Sequence, residues 1–92
     1  MKFDDLRLGI CTCKHITEAG RACLLATHYD DGGWAFTCGE NDHSHDGKDY
    51  IWVDIEHLIE LDSSLHEIAD LPRGWFAERE ELSAPWERHS DD

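Results

Sequence analysis

At 92 residues the chain has room for one domain and one core, and a domain this small buries only about 60–65% of the surface its unfolded form exposes. Its 21 acidic residues against 8 basic ones give a formal charge of −13. Such a surface repels nucleic-acid phosphates and anionic membranes, so neither nucleic acid nor membrane is expected as a partner.

The first predicted segment, residues 1–9, is a polar lead-in. Ile10 to His15 alternates like a short strand, and Thr17 to Arg21, with Gly20, reads as a turn or one helical turn. Ala22 to Tyr29 is a strand. Asp30-Asp31-Gly32-Gly33 is a hairpin signal, because glycine supplies the positive φ that tight turns need. Trp34 to Cys38 returns, with Trp34, Phe36 and Cys38 on one face. Gly39 to Asp49 is a polar loop rich in Asp and His. Tyr50 to Val53 is the next strand, followed by Asp54 as an N-cap, with Val53 and Leu58 spaced as a hydrophobic staple. Ile55, Leu58 and Ile59 form the apolar stripe of a short helix. Ser64 and Glu67 have capping-box spacing for a second helix that turns Leu65, Ile68 and Ala69 inward and ends at Pro72. Gly74 turns the chain into a last strand at Trp75, Phe76 and Ala77. Residues 89–92 are expected to fray. Strands followed by helices and one closing strand make a single α+β domain over 1–92, a small, mostly antiparallel sheet with two short helices on one side.

No signal peptide or membrane span is visible, which points to a cytoplasmic protein whose four cysteines are thiols or metal ligands rather than disulfides. Cys11-Thr-Cys13-Lys-His15 is the sharpest local signal. On a strand these three side chains share a face, and two thiolates with an imidazole suit Zn²⁺, completed by Cys38 or His43. Against this, Cys-x-Cys is not the usual zinc-knuckle spacing, and a flat strand holds alternate thiols apart. Inert buried cysteines are the competing reading, and redox use a third. Cys23 reads as core. Asp42-His-Ser44-His-Asp46-Gly47 opens like a calcium loop, but the last ligating position falls on Val53, where a bidentate Glu is required. Catalysis is not expected. There is no nucleophile elbow, phosphate loop or His-Glu-x-x-His helix, and nothing in the sequence activates Cys38 through His28 or His43. Glu56, Glu60 and Glu67 read as the wet faces of helices. Most of the four tryptophans read as core, with Trp86, between Pro85 and Glu87, the best interface candidate.

Four stretches carry a family resemblance: Asp31-Gly-Gly-Trp34-Ala-Phe36-Thr-Cys38-Gly39, Asp62-Ser-Ser-Leu65, Ala69-Asp-Leu-Pro72-Arg-Gly74-Trp75-Phe-Ala77-Glu-Arg79 and Pro85-Trp86-Glu-Arg88. Together they resemble a bacterial family of small domains catalogued as domain of unknown function 2185, which is grouped with the immunity proteins of polymorphic toxin systems. The resemblance runs from about Cys13 to Arg88. It implies an α+β fold and neutralisation of a toxin partner, with no catalytic residues to carry over. Arg21-Ala22 stands where related sequences often have a proline, and the His-rich loop and the Cys11/Cys13 pair are peculiar to this branch.

The resulting expectation is a protein-binding module that works by occlusion. Its acidity steers a basic protein partner, with Asp42, His43, His45, Asp46, Asp49, Trp86 and Glu87 as contacts. The same acidity also fits plain solubility or a salt-adapted host. The alternative function is a small zinc-binding module using Cys11, Cys13, His15 and Cys38. Zinc is the one cofactor the sequence suggests.

Overall fold

The fold is built around one hairpin. β2 (Leu25–His28) and β3 (Trp34–Thr37) are joined by Tyr29 to Gly33, where Gly32 takes φ +94° and the Asp31 carboxylate accepts from the Gly33 N–H at 2.9 Å. A computed structural model of the chain describes residue 3, residues 5–39 and residues 50–90. Within it, β1 (Gly9–Cys13), β4 (Tyr50–Asp54), β5 (Trp75–Glu78) and β6 (Glu87–Ser90) extend the hairpin into a six-stranded sheet of order β4-β1-β3-β2-β5-β6. β1 and β3 run parallel, and every other neighbouring pair is antiparallel. The fold is therefore α+β with a mostly antiparallel sheet. Its helical pieces number three: a single turn, α1 (Lys14–Thr17); α2 (Ile55–Leu61); and a 3-10 helix (Ser63–Ile68).

Several boundaries differ from the sequence reading. β1 stops at Cys13, and His15 lies on α1 rather than on the strand. Asp54 does occupy the N-cap position of α2, but its side chain makes no capping bond. The orphan N–H groups of Ile55 and Glu56 donate instead to the Leu8 and Leu6 carbonyls, at 2.8 and 3.2 Å, so the lead-in caps the helix. Asp62, not Ser64, caps the 3-10 helix, accepting from the Ser64 N–H at 3.0 Å. Residues 89 and 90, expected to fray, belong to β6.

Strand register sorts the side chains onto two faces. Val53, Ile10, Phe36, Ala26 and Ala77 share one face; all but the half-buried Val53, which packs against it, join Ile55, Leu58, Leu65, Ile68 and Leu71 from the helical layer in a single buried cluster. Phe3, from the lead-in, packs edge-on to Trp34 (5.2 Å) and donates its N–H to His66 Nδ1 (3.1 Å), closing that layer. One row of the opposite face runs across all six strands: Trp52, Cys11, Ala35, Thr27, Phe76 and His89. Among the described residues no helix belongs to this second face.

Arg79 pins the helical layer to the sheet. Its buried guanidinium donates to the Cys23 carbonyl (3.0 Å), Ser64 Oγ (2.9 Å), the Leu82 carbonyl (2.9 Å) and Asp62 Oδ2 (2.6 Å), and its Cζ lies 4.2 Å from the Trp86 ring centroid. Burial alone raises a carboxyl pKa. Around Asp62 the Ser64 hydroxyl and Arg79 outweigh that effect and hold the group below its ordinary value. A charge buried this deeply is tolerated because nearly every guanidinium N–H has an acceptor.

Candidate functional site

Two places in the fold bring chemistry-bearing residues together. The first lies where β1 runs into α1 beside the exit of β3. Cys13, at the end of β1, His15, on α1, and Cys38, just past β3, place their ligand atoms within 4.8 Å of one another. Cys38 Sγ lies 3.6 Å from His15 Nδ1. Arg21 Nη1 approaches both, at 3.4 Å from Nδ1 and 3.9 Å from Sγ. Burial pushes the Cys13 thiol up, and the neighbouring Cys38 thiol adds to that, while the backbone N–H groups of Cys38 and Ile16 hydrogen-bond its sulfur and pull the other way. Cys38 also lines an open groove of about 550 Å³ that runs past Gly39 to Glu78, Pro85 and Glu87.

Cys11 stands apart from this cluster. Its neighbours in the sheet are Trp52 and Ala35, on the second face, and burial raises its pKa. The expected strand-borne trio of Cys11, Cys13 and His15 is thus replaced by Cys13, His15 and Cys38. The chain turns into α1 directly after Cys13, and that turn carries the imidazole away from the line of the strand and towards Cys38. Cys23 is core, as its pattern suggested: burial drives its thiol up to about 12, and Sγ donates to the Leu25 carbonyl at 3.5 Å.

The second place is the second sheet face. Trp52 is 74% exposed on the edge strand β4, with Tyr50 and Asp54 on the same side. Phe76 lies along the same row, stacked on His89 at 5.1 Å, and His89 Nε2 is 3.3 Å from Glu78. Comparisons with protein-family models, with curated proteins and with solved structures found no match.

Of the contacts expected from sequence, Asp42, His43, His45, Asp46 and Asp49 lie outside the described residues. Glu87 is exposed on β6. Trp86 is only half-buried by area, yet it packs against the core with Arg79 over its ring, and its Nε1 has no hydrogen-bond partner among the described residues. It is a packing residue in this fold, and the exposed indole is that of Trp52. No apolar pattern singles out Trp52, since both parities of Tyr50-Ile51-Trp52-Val53 are apolar and only the tertiary fold decides which one meets the core. Arg21 was missed because a lone arginine after a glycine carries no signal of its own.

The resembling stretches converge on packing. Asp62, Ser64, Arg79 and Trp86 form the Arg79 pin described above. Arg88 Nη2 reaches Asp70 (2.8 Å) and the Glu67 carbonyl (2.9 Å). The two glycine turns meet as well: the Gly74 N–H donates to the His28 carbonyl at 2.7 Å, and Arg73 packs over Gly32. These residues hold the fold together. Among the described residues no helix is long and apolar enough to cross a membrane.

Proposed function

We propose that the chain is a protein-binding module that occludes a basic protein partner with the second face of its sheet, anchored at Trp52. The observation that carries this reading is the single indole left 74% exposed on a sheet face that carries no helix among the described residues. Tryptophan and tyrosine dominate the energetics of protein interfaces because they bury large areas at low entropic cost. Trp52 and Tyr50 stand side by side on β4, with Asp54 at one end of the face and Glu78 and Glu87 at the other. Carboxylates around an apolar strip, on a chain of net charge −13, steer a cationic surface towards it. Neutralisation of a toxin is the form of this function that the family resemblance suggests. Such an interaction would take place in the cytoplasm, a setting that keeps free the four thiols of this chain.

The test is capture at low salt with the product of a neighbouring toxin-like open reading frame as bait, followed by a salt series. Capture should weaken steeply as ionic strength rises and should fall at least tenfold in Trp52→Ala. It should persist in Leu61→Ser, which removes another exposed apolar side chain, on α2, instead. Binding that ignores both salt and Trp52 would sink the reading.

A further inference from the structure

We propose that Cys13 Sγ, Cys38 Sγ and His15 Nδ1 form a zinc site, supplying an S₂N ligand set from among the described residues. Three elements converge to make it: the end of β1, the first turn of α1 and the exit of β3. Zn–S bonds of about 2.3 Å and Zn–N bonds of about 2.0–2.1 Å at tetrahedral angles put sulfur and nitrogen about 3.6 Å apart. Cys38 Sγ and His15 Nδ1 stand at 3.6 Å, and all three ligand atoms fall within 4.8 Å, so closing on a metal needs only small side-chain adjustments.

A further feature favours a metal here. The backbone N–H groups of Ile16 and Cys38 aim at Cys13 Sγ, an outer-shell arrangement that stabilises a metal-bound thiolate and fixes its lone pairs. Arg21 Nη1 lies against both His15 Nδ1 and Cys38 Sγ, so an entering metal takes the place of that guanidinium contact. Arg21 is exposed, so giving up that contact leaves the core packing intact. Thiolate and imidazole donors select zinc over calcium or magnesium, which prefer oxygen. Binding releases one proton from each thiol and leaves a neutral centre of Zn²⁺, two thiolates and a neutral imidazole. The groove beside Cys38 supplies a route for the metal.

The inference is independent of the partner face, since Trp52 is not part of the cluster. To test it, the full chain is purified under reductant, stripped with chelator, and titrated with Zn²⁺ and with Co²⁺. Native mass spectrometry and cobalt absorption are the readouts. One equivalent should bind, with the ion displacing two protons and cobalt giving thiolate charge-transfer and tetrahedral d–d bands. Cys38→Ser and His15→Ala should each weaken binding at least about 100-fold, while Cys11→Ser leaves it unchanged. Because Cys38 is buried, the circular dichroism of its variant is checked, and the half-buried His15→Ala decides the matter if that variant fails to fold. No stoichiometric binding by the reduced chain, or binding that survives His15→Ala, or binding lost in Cys11→Ser, overturns the proposal.

Discussion

Arg79 and Asp62 form the costliest interaction to break at the residue scale. Their side chains are 1% and 15% exposed and their closest atoms 2.6 Å apart. Removing one partner leaves the other charge buried and uncompensated, so Arg79→Ala should cost about 3–5 kcal/mol. In a chain of this size that lowers the melting temperature by about 12 °C or more, readable by thermal circular dichroism. Asp62 also sets an acid limit. Its folded pKa lies below its unfolded value of about 3.9, so its contribution is complete above that value and is lost as pH falls through the folded one. The stability advantage of the wild-type chain over Asp62→Asn should therefore hold at neutral pH and shrink below about pH 4. A constant gap across that range would show that the ion pair is not what Asp62 supplies. Cys23 gives a chemical check: with its thiol driven up to about 12 inside the core, it should resist alkylation at pH 7 until the chain unfolds, as peptide mapping would show.

Individual elements depend on their neighbours more than on their own sequences. β6 has no apolar alternation in Glu87-Arg-His-Ser90, and so no periodic signal. It forms because β5 offers an edge, because His89 stacks on Phe76, and because Arg88 reaches Asp70, whose carboxyl that hydrogen bond holds below the usual range. Ending the chain after Trp86 removes β6 and bares β5, an unprotected edge that invites self-pairing. The shortened chain should elute from size exclusion as larger species at concentrations where the intact chain does not. Gly74 holds the turn ahead of β5 at φ +82°, where a Cβ would sit 2.6 Å from Asp30 Oδ1. The exposed Asp30 side chain can move aside, so the cost of Gly74→Ala comes from the left-handed backbone, about 1–2 kcal/mol in a denaturant melt. The 3-10 helix owes its form to length. Six residues separate the Asp62 cap from Ala69, and the bonds from Leu65 N to Asp62 O and from Ala69 N to His66 O are i to i+3 contacts.

Charge is the dominant property of the whole molecule. A net −13 on one small domain repels itself in the folded state, and the Debye length falls to about 10 Å at 0.1 M salt. The melting temperature should rise with sodium chloride over roughly the first 0.5 M, then level off once the charges are screened. A continuing rise into molar salt would instead mark adaptation to a saline host. Partner capture should move the opposite way, weakening as salt rises. The two trends together separate charge that steers a partner from charge that merely solubilises the chain.

Composition and pattern determined a good deal of this protein. The Asp-Gly hairpin, the strands around Trp34 and Tyr50, the stripe of Ile55 and Leu58, and the acidic surface follow from local backbone preference and from alternation of apolar and polar residues, which neighbouring positions encode directly. The site residues did not follow in the same way. Cys13, His15 and Cys38 meet only because the chain bends into α1 straight after β1 and because β1 pairs with β3 in parallel. That register rests on contacts between residues more than twenty positions apart, such as the Thr12 hydroxyl donating to the Phe36 carbonyl at 2.7 Å. Trp52 and Trp86 exchanged expected places for the same reason. An indole is equally apolar at either position, and only the packed fold decides which one it covers and which it leaves to the solvent.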